Sequence, residues 1–144
     1  MPSDLSKNAT KLMDEQRAHC AQAIFATYGE HIGSGKVDFE TCMKISSAFS
    51  GGVARTGNIC GAVNGALMVL GLKYGGSPME ARVNEAAVKL MDEFKALNGK
   101  LFCRELIDHD LLTDDDVKRA FEVGAFKNCS KFVEDVSKIL EQML

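Results

Sequence analysis

Apolar residues recur along most of the chain at spacings of three and four, the period of an amphipathic helix. The first stripe is Leu5, Ala9, Leu12, Met13, Gln16, Cys20, Ala23, Ile24 and Thr27, and it predicts one helix over about 4–29. Gly29 and the stretch from Gly33 to Gly35 break it. Asp38 is placed to cap a second helix that turns Phe39, Cys42, Met43, Ser46 and Phe49 inward. The segment SGGVARTGN, residues 50–58, is rich in glycine and reads as a loop able to take positive φ. Asn58 or Thr56 can cap the helix that follows.

That third helix, about 58–73, is apolar nearly all round, which marks the central helix of a bundle. Gly61 and Gly65 lie four apart on one of its faces, where the missing side chains let a neighbouring helix come close. Ser77-Pro78 predicts the start of a fourth helix, with Pro in its first turn. Its rhythm runs Met79, Val83, Ala86, Ala87, Leu90, Met91, Phe94 and Leu97, and Asn98-Gly99 stops it. A helical turn over Cys103 to Ile107 follows, then a short helix from a Thr113 cap to about Glu122. The last helix spans Asn128 to Leu144 with Cys129, Phe132, Val133, Val136, Ile139, Leu140 and Met143 inward. Sustained alternation of period two is absent. The expected fold is all-α: one domain over residues 1–144, four long and two short helices packed around the apolar helix at 58–73.

Composition narrows the function. Formal charge is −3, and no stretch gathers Lys and Arg among aromatics, so nucleic-acid binding is not expected. The longest apolar run, Ile59 to Leu72, covers 14 residues. A membrane span needs about 20, so a buried helix is expected there and no membrane span. The segment MPSDLSKNAT lacks the apolar core of a secretory signal, which points to the cytoplasm. Cytoplasmic thiols are kept reduced, and there clustered cysteines more often serve metal or redox chemistry than structural bridges. The chain has five cysteines, an odd number, at positions 20, 42, 60, 103 and 129. None forms CxxC or CxxCH, so any joint site must be assembled by the fold.

Three of them share a setting. Cys60 falls in the first turn of the apolar helix, Cys103 begins a short helix and Cys129 opens the last one. A helix N-terminus offers free N–H donors and about half a positive charge, which favours thiolate over thiol. Cys20 is expected in mid-helix on the apolar stripe, and Cys42 as an inert buried thiol. The glycine loop raises a separate anion-binding reading through Gly51, Gly52, Arg55 and Gly57. GxxxxGK[ST] is not met there, because Asn58 stands in the lysine's place, and a tight turn is the simpler expectation. The histidines at 19, 31 and 109 are scattered; His19 and Cys20 are neighbours but point about 100° apart on a helix, which disfavours a Cys–His dyad.

NxCGAxxGAL (Asn58 to Leu67), preceded by GG and followed by LGLKYG (Leu70 to Gly75), resembles the signature of the C_GCAxxG_C_C family. The family's four characteristic cysteines match Cys20 in HCAQA, Cys60 in CGAVNG, Cys103 in CRELI and Cys129 in NCSKFV. The resemblance spans about residues 16–143. Ile59 precedes Cys60, so the core motif takes the CGAxxG form, and Cys42 has no counterpart. The family consists of small prokaryotic proteins described as redox-active, with genes often near transporter genes. The resemblance thus implies thiol-based redox activity on Cys20, Cys60, Cys103 and Cys129. A thiol/disulfide oxidoreductase-like activity fits it, and so does association with a transport system.

Two other readings stay open. The same four thiolates suit zinc or an iron–sulfur cluster. Alternatively the cysteines are core residues of a helical interaction module. Four cysteines allow three pairings, and the shortest loop between helix starts favours Cys103 with Cys129. The sequence identifies no cofactor, no redox partner or small-molecule substrate, and leaves a homo-oligomer open.

Overall fold

The computed structural model describes residues 3–33 and 36–144. They form eight α-helices and one 3-10 turn, and among the described residues there is no strand. The helices are α1 (Asp4–Asp14), α2 (Cys20–Gly33), α3 (Phe39–Ile45), α4 (Gly61–Tyr74), α5 (Ala81–Asn98), α6 (Cys103–Leu106), α7 (Asp114–Glu122) and α8 (Cys129–Met143). The 3-10 turn, Ser47–Phe49, follows α3. The fold is all-α, as the period predicts, and the seven helical segments expected become eight α-helices because the first is two.

The largest departure is at the start. The single helix expected over 4–29 is two helices, broken where Gln16 takes a positive φ of 56°. The apolar stripe continues across the break in register, so period alone cannot reveal it. A left-handed non-glycine residue costs roughly 1–2 kcal/mol. The break lets the two halves pack differently: α1 lies against α8, whereas α2 lies against α4. His19 then closes the first turn of α2. Its backbone N–H donates to Gln22 Oε1 (3.2 Å), and the Gln22 N–H donates to His19 Nδ1 (3.4 Å). This is the reciprocal arrangement of a capping box, with imidazole in the hydroxyl's place.

Gly29 does not end α2. It is buried inside the helix, where a Cβ would come 3.0 Å from Cys42 Sγ. The expected break at Gly33 to Gly35 is only partly described: α2 ends at Gly33, and residues 34 and 35 lie outside the described residues. Asp38 caps α3, accepting from the Thr41 N–H at 2.7 Å, and Thr113 caps α7 in a capping box with Asp116. The fourth helix begins later than Ser77-Pro78 predicts. Glu80 caps α5, and Met79 is 88% exposed outside it. Leu97 also faces solvent, while Gly99 ends the helix in the left-handed conformation.

The apolar helix α4 does lie at the centre, but α2 shares the position. Its Ala23, Ile24, Phe25, Ala26 and Tyr28 are buried alongside Ala62, Val63, Ala66, Val69 and Leu70 of α4. The two helices make the most extensive helix contact in the molecule. Gly61 and Gly65 permit it: a Cβ would stand 2.4 Å from Cys20 Sγ at the first and 2.7 Å from the Ala21 carbonyl oxygen at the second. α8 covers the pair with Phe132, Val133, Val136 and Leu140, and Phe132 meets Phe94 of α5 edge to face at 6.0 Å. Tyr28 donates to Glu141 (2.5 Å) and Tyr74 to the Met143 carbonyl (2.7 Å), tying both central helices to the end of α8. Among the described residues no helix is long and apolar enough to cross a membrane.

Candidate functional site

The four cysteines of the family pattern each stand at a helix start. Cys20 is the first residue of α2, Cys60 caps α4, Cys103 is the first residue of α6 and Cys129 the first of α8. The placement of Cys60, Cys103 and Cys129 follows the sequence expectation. Cys20 departs from it: the break at Gln16 moves it from mid-helix to a helix N-terminus.

Two contacts bring these starts together. The glycines of α4 admit the start of α2, so Cys20 Sγ packs against Gly61 beside Cys60. A single antiparallel bridge, Ile59 with Phe102, joins the approach to α4 to the approach to α6. Across it the Cys60 N–H donates to the Leu101 carbonyl (2.8 Å) and the Cys103 N–H to the Asn58 carbonyl (2.7 Å). Neither Asn58 nor Thr56 caps α4; the Asn58 side chain donates to Thr56 Oγ1 instead. One bridge of this kind has no periodic signature, so the sequence offers no sign of it.

All four cysteines line one small chamber with Leu106, Ile107 and Phe132. Its volume of about 20 Å³ holds about one water-sized guest. In front of it lies a wider cleft of about 620 Å³, on whose wall Cys20, Cys103 and Cys129 reappear. Cys60 lines the chamber alone and is 4% exposed. All five cysteines are free thiols. Cys42 is fully buried away from the chamber, against Gly29.

The electrostatics reverse the expected order. Burial pushes the Cys103 thiol up to about 12, with the charge of Cys20 adding to the effect. Burial likewise pushes Cys129 up to about 12, assisted by Cys20 and Cys103. Cys60 is raised well above its ordinary value, chiefly because its thiol is held as the donor to Cys20 and then because it is buried. The favourable helix-terminal field does not outweigh desolvation at these three. Cys20 alone is lowered. The Cys60 thiol donates to it, and the N–H groups of Ala21 and Ala62, at the starts of α2 and α4, add to that against the cost of burial. Within the Cys20–Cys60 pair the surroundings thus favour negative charge on Cys20 over Cys60.

His19 lines the cleft but is committed elsewhere. Its Nε2–H donates to the Ser47 carbonyl (3.0 Å) while Nδ1 caps α2, an arrangement that requires the neutral ring. Burial lowers its pKa in agreement. Of the residues of the anion reading, Arg55 and Gly57 already spend their N–H groups within the turn. Gly51, Gly52, Val53, Ala54 and Arg55 take φ of 57°, 70°, 66°, 50° and 62° in succession, a left-handed turn. The N–H groups of residues 54 to 58 all donate to carbonyls between Ala48 and Val53. Gly52 and Gly57 are buried, and Arg55 reaches Asp114 at 3.5 Å. Among the described residues no group of three or more His, Cys, Asp or Glu side chains is arranged to hold a metal ion.

The family model described as "Putative redox-active protein (C_GCAxxG_C_C)" matches residues 18–143. No curated protein and no solved structure matches the chain.

Proposed function

We propose, on the premise that the chain belongs to the C_GCAxxG_C_C family, that it is a thiol–disulfide redox protein in which Cys20 attacks and Cys60 resolves. The observation that carries this reading is the placement of Cys20 and Cys60 in one chamber, with Cys20 Sγ packed against Gly61, where the Cys20 pKa is lowered and that of Cys60 raised. Thiolate is the nucleophile in disulfide exchange, and Cys20 is the cysteine whose surroundings favour it. Cys20 also faces the cleft, whereas Cys60 sits behind it.

The Cys20 thiolate forms a bond to one sulfur of a disulfide RS–SR; the S–S bond breaks, and RS⁻ leaves through the cleft and takes a proton from water. Cys60 then loses its proton to solvent and attacks the Cys20 sulfur, expelling the second RS⁻. The substrate gains two electrons, and Cys20 and Cys60 become a disulfide. A dithiol reductant returns them to thiols by the reverse route. Cys103 and Cys129, each held as thiols by burial, form a second pair that can exchange with the first.

The test is to equilibrate the protein in thiol–disulfide buffers, trap it and map the linkages by mass spectrometry. A Cys20–Cys60 disulfide forming first is the expected result. If both remain thiols at a cellular redox poise while other pairs oxidise, the assignment is wrong.

A further inference from the structure

The cleft in front of the chamber, at about 620 Å³, is far larger than the chamber and falls within the range of small-molecule sites, about 300–1,000 Å³. Its walls carry Met13, Ala18, Leu111, Val117, Phe121 and Phe126. The Phe121 and Phe126 rings meet in a tilted pair with centroids 4.8 Å apart. Phe121 is nevertheless 66% exposed, an aromatic ring spent on the cleft and its mouth rather than on the core.

Several polar groups of the wall are paired within the protein. Asp14 accepts from Ser130 Oγ (2.5 Å), Arg55 meets Asp114, and His19 is held by Ser47 and Gln22. Gln16, Ser50 and Lys127 complete the polar part of the wall, and the rest is hydrocarbon and aromatic surface that reaches the sulfurs of Cys20, Cys103 and Cys129.

We infer that the cleft seats a small organic disulfide with an apolar body, the RS–SR of the reaction above, and releases the corresponding thiols. The inference rests on the reading of Cys20 as the attacking thiolate and adds the class of substrate. The volume argues against a folded protein as the group that enters, and the run of apolar and aromatic side chains argues for an apolar body. The chemistry is that of the preceding subsection: one S–S bond of the substrate is exchanged for one between Cys20 and Cys60, and both electrons go to the departing thiols.

The experiment is a series of bis(ω-hydroxyalkyl) disulfides, from bis(2-hydroxyethyl) to bis(6-hydroxyhexyl) disulfide, presented to the full-length reduced protein. Glutathione run through the same series supplies the intrinsic reactivity. Each buried CH₂ is worth about 0.8 kcal/mol, so the second-order rate constant at Cys20 is expected to rise up to about fourfold per carbon on each side that enters the cleft, relative to glutathione. Phe121→Ser, at a largely exposed position, is expected to flatten that slope. A fast reaction at Cys20 whose slope equals that of glutathione overturns the apolar seat and leaves Cys20 as the thiolate. No reaction at Cys20 with any member of the series overturns both.

Discussion

Cys20 and Cys60 share one small chamber at the contact between α2 and α4, and their interaction lowers the pKa of the first and raises that of the second. The two residues are 40 apart in the chain, and each begins a helix of the central pair. Removing the donor, and replacing it by another of similar size, tests what the pairing does. In Cys60→Ala the Cys20 thiolate loses its main support. A hydrogen bond to a charged group is worth about 1.5–3 kcal/mol, so alkylation of Cys20 by iodoacetamide at neutral pH is expected to slow by about tenfold or more. Cys60→Ser keeps an O–H donor and is expected to retain most of the rate. Site-resolved alkylation by mass spectrometry checks both, and equal slowing in the two variants counts against the bond.

Gly61 brings that pair together, and its neighbours on α4 supply controls. A Cβ at Gly61 would stand 2.4 Å from Cys20 Sγ, whereas nothing lies within 4 Å of one at Gly71. Gly61→Ala is expected to destabilise by about 1–3 kcal/mol through overpacking and to disturb Cys20 reactivity. Gly71→Ala, in the same helix, is expected to stabilise by about 0.5–1 kcal/mol. Urea titration of both variants measures the difference, and two shifts of the same sign would overturn this account of the close approach.

Much of this was legible in the chain, and its limits have physical causes. The i, i+4 glycines predicted a close helix contact on α4, and that contact is with α2. The Thr113 and Asp38 caps and the Gly99 stop were readable because each is a local interaction. The break at Gln16 was not, because the apolar register passes through it unchanged and neither Gly nor Pro marks it. The unmarked break places Cys20 in mid-helix by period alone and hides the helix-start setting it shares with the other three. The thiol order was misjudged for a different reason. A helix terminus is visible in sequence, but the burial that opposes it at Cys60, Cys103 and Cys129 depends on how four distant starts meet.

His19 gives the start of α2 a pH dependence. Its Nδ1 must stay unprotonated to accept from the Gln22 N–H, and burial lowers its pKa from 6.5. A depressed pKa in the folded state means the unfolded chain binds the proton more readily. The contribution to stability is thus fully present above about pH 6.5 and is lost as the pH falls through the lower folded value. His19→Asn, a good cap that does not titrate, is expected to flatten the stability profile between about pH 7 and pH 5. Denaturant midpoints across that range decide it; an unchanged slope in the variant would show that other groups set the profile.

The left-handed turn ahead of Cys60 stores strain that a substitution can release. Val53 holds φ 66°, a conformation that a β-branched residue rarely adopts. Its N-terminal neighbour Gly52, at φ 70°, has no room for a side chain, since a Cβ would fall 2.4 Å from the Asn58 carbonyl oxygen. The two positions are therefore expected to respond in opposite directions. Val53→Gly removes roughly 1–2 kcal/mol of backbone strain and gives back part of that as greater freedom of the unfolded chain. Because Val53 is 38% exposed, little packing is lost, and a net gain of up to about 1 kcal/mol is expected. Gly52→Ala must displace the backbone leading into α4, and is expected to lower stability and slow the reaction of Cys20 together. Thermal unfolding and Cys20 alkylation measured on both variants test the pair. Stabilisation by Gly52→Ala, or a loss of stability in Val53→Gly, would mean that the turn is not held under strain.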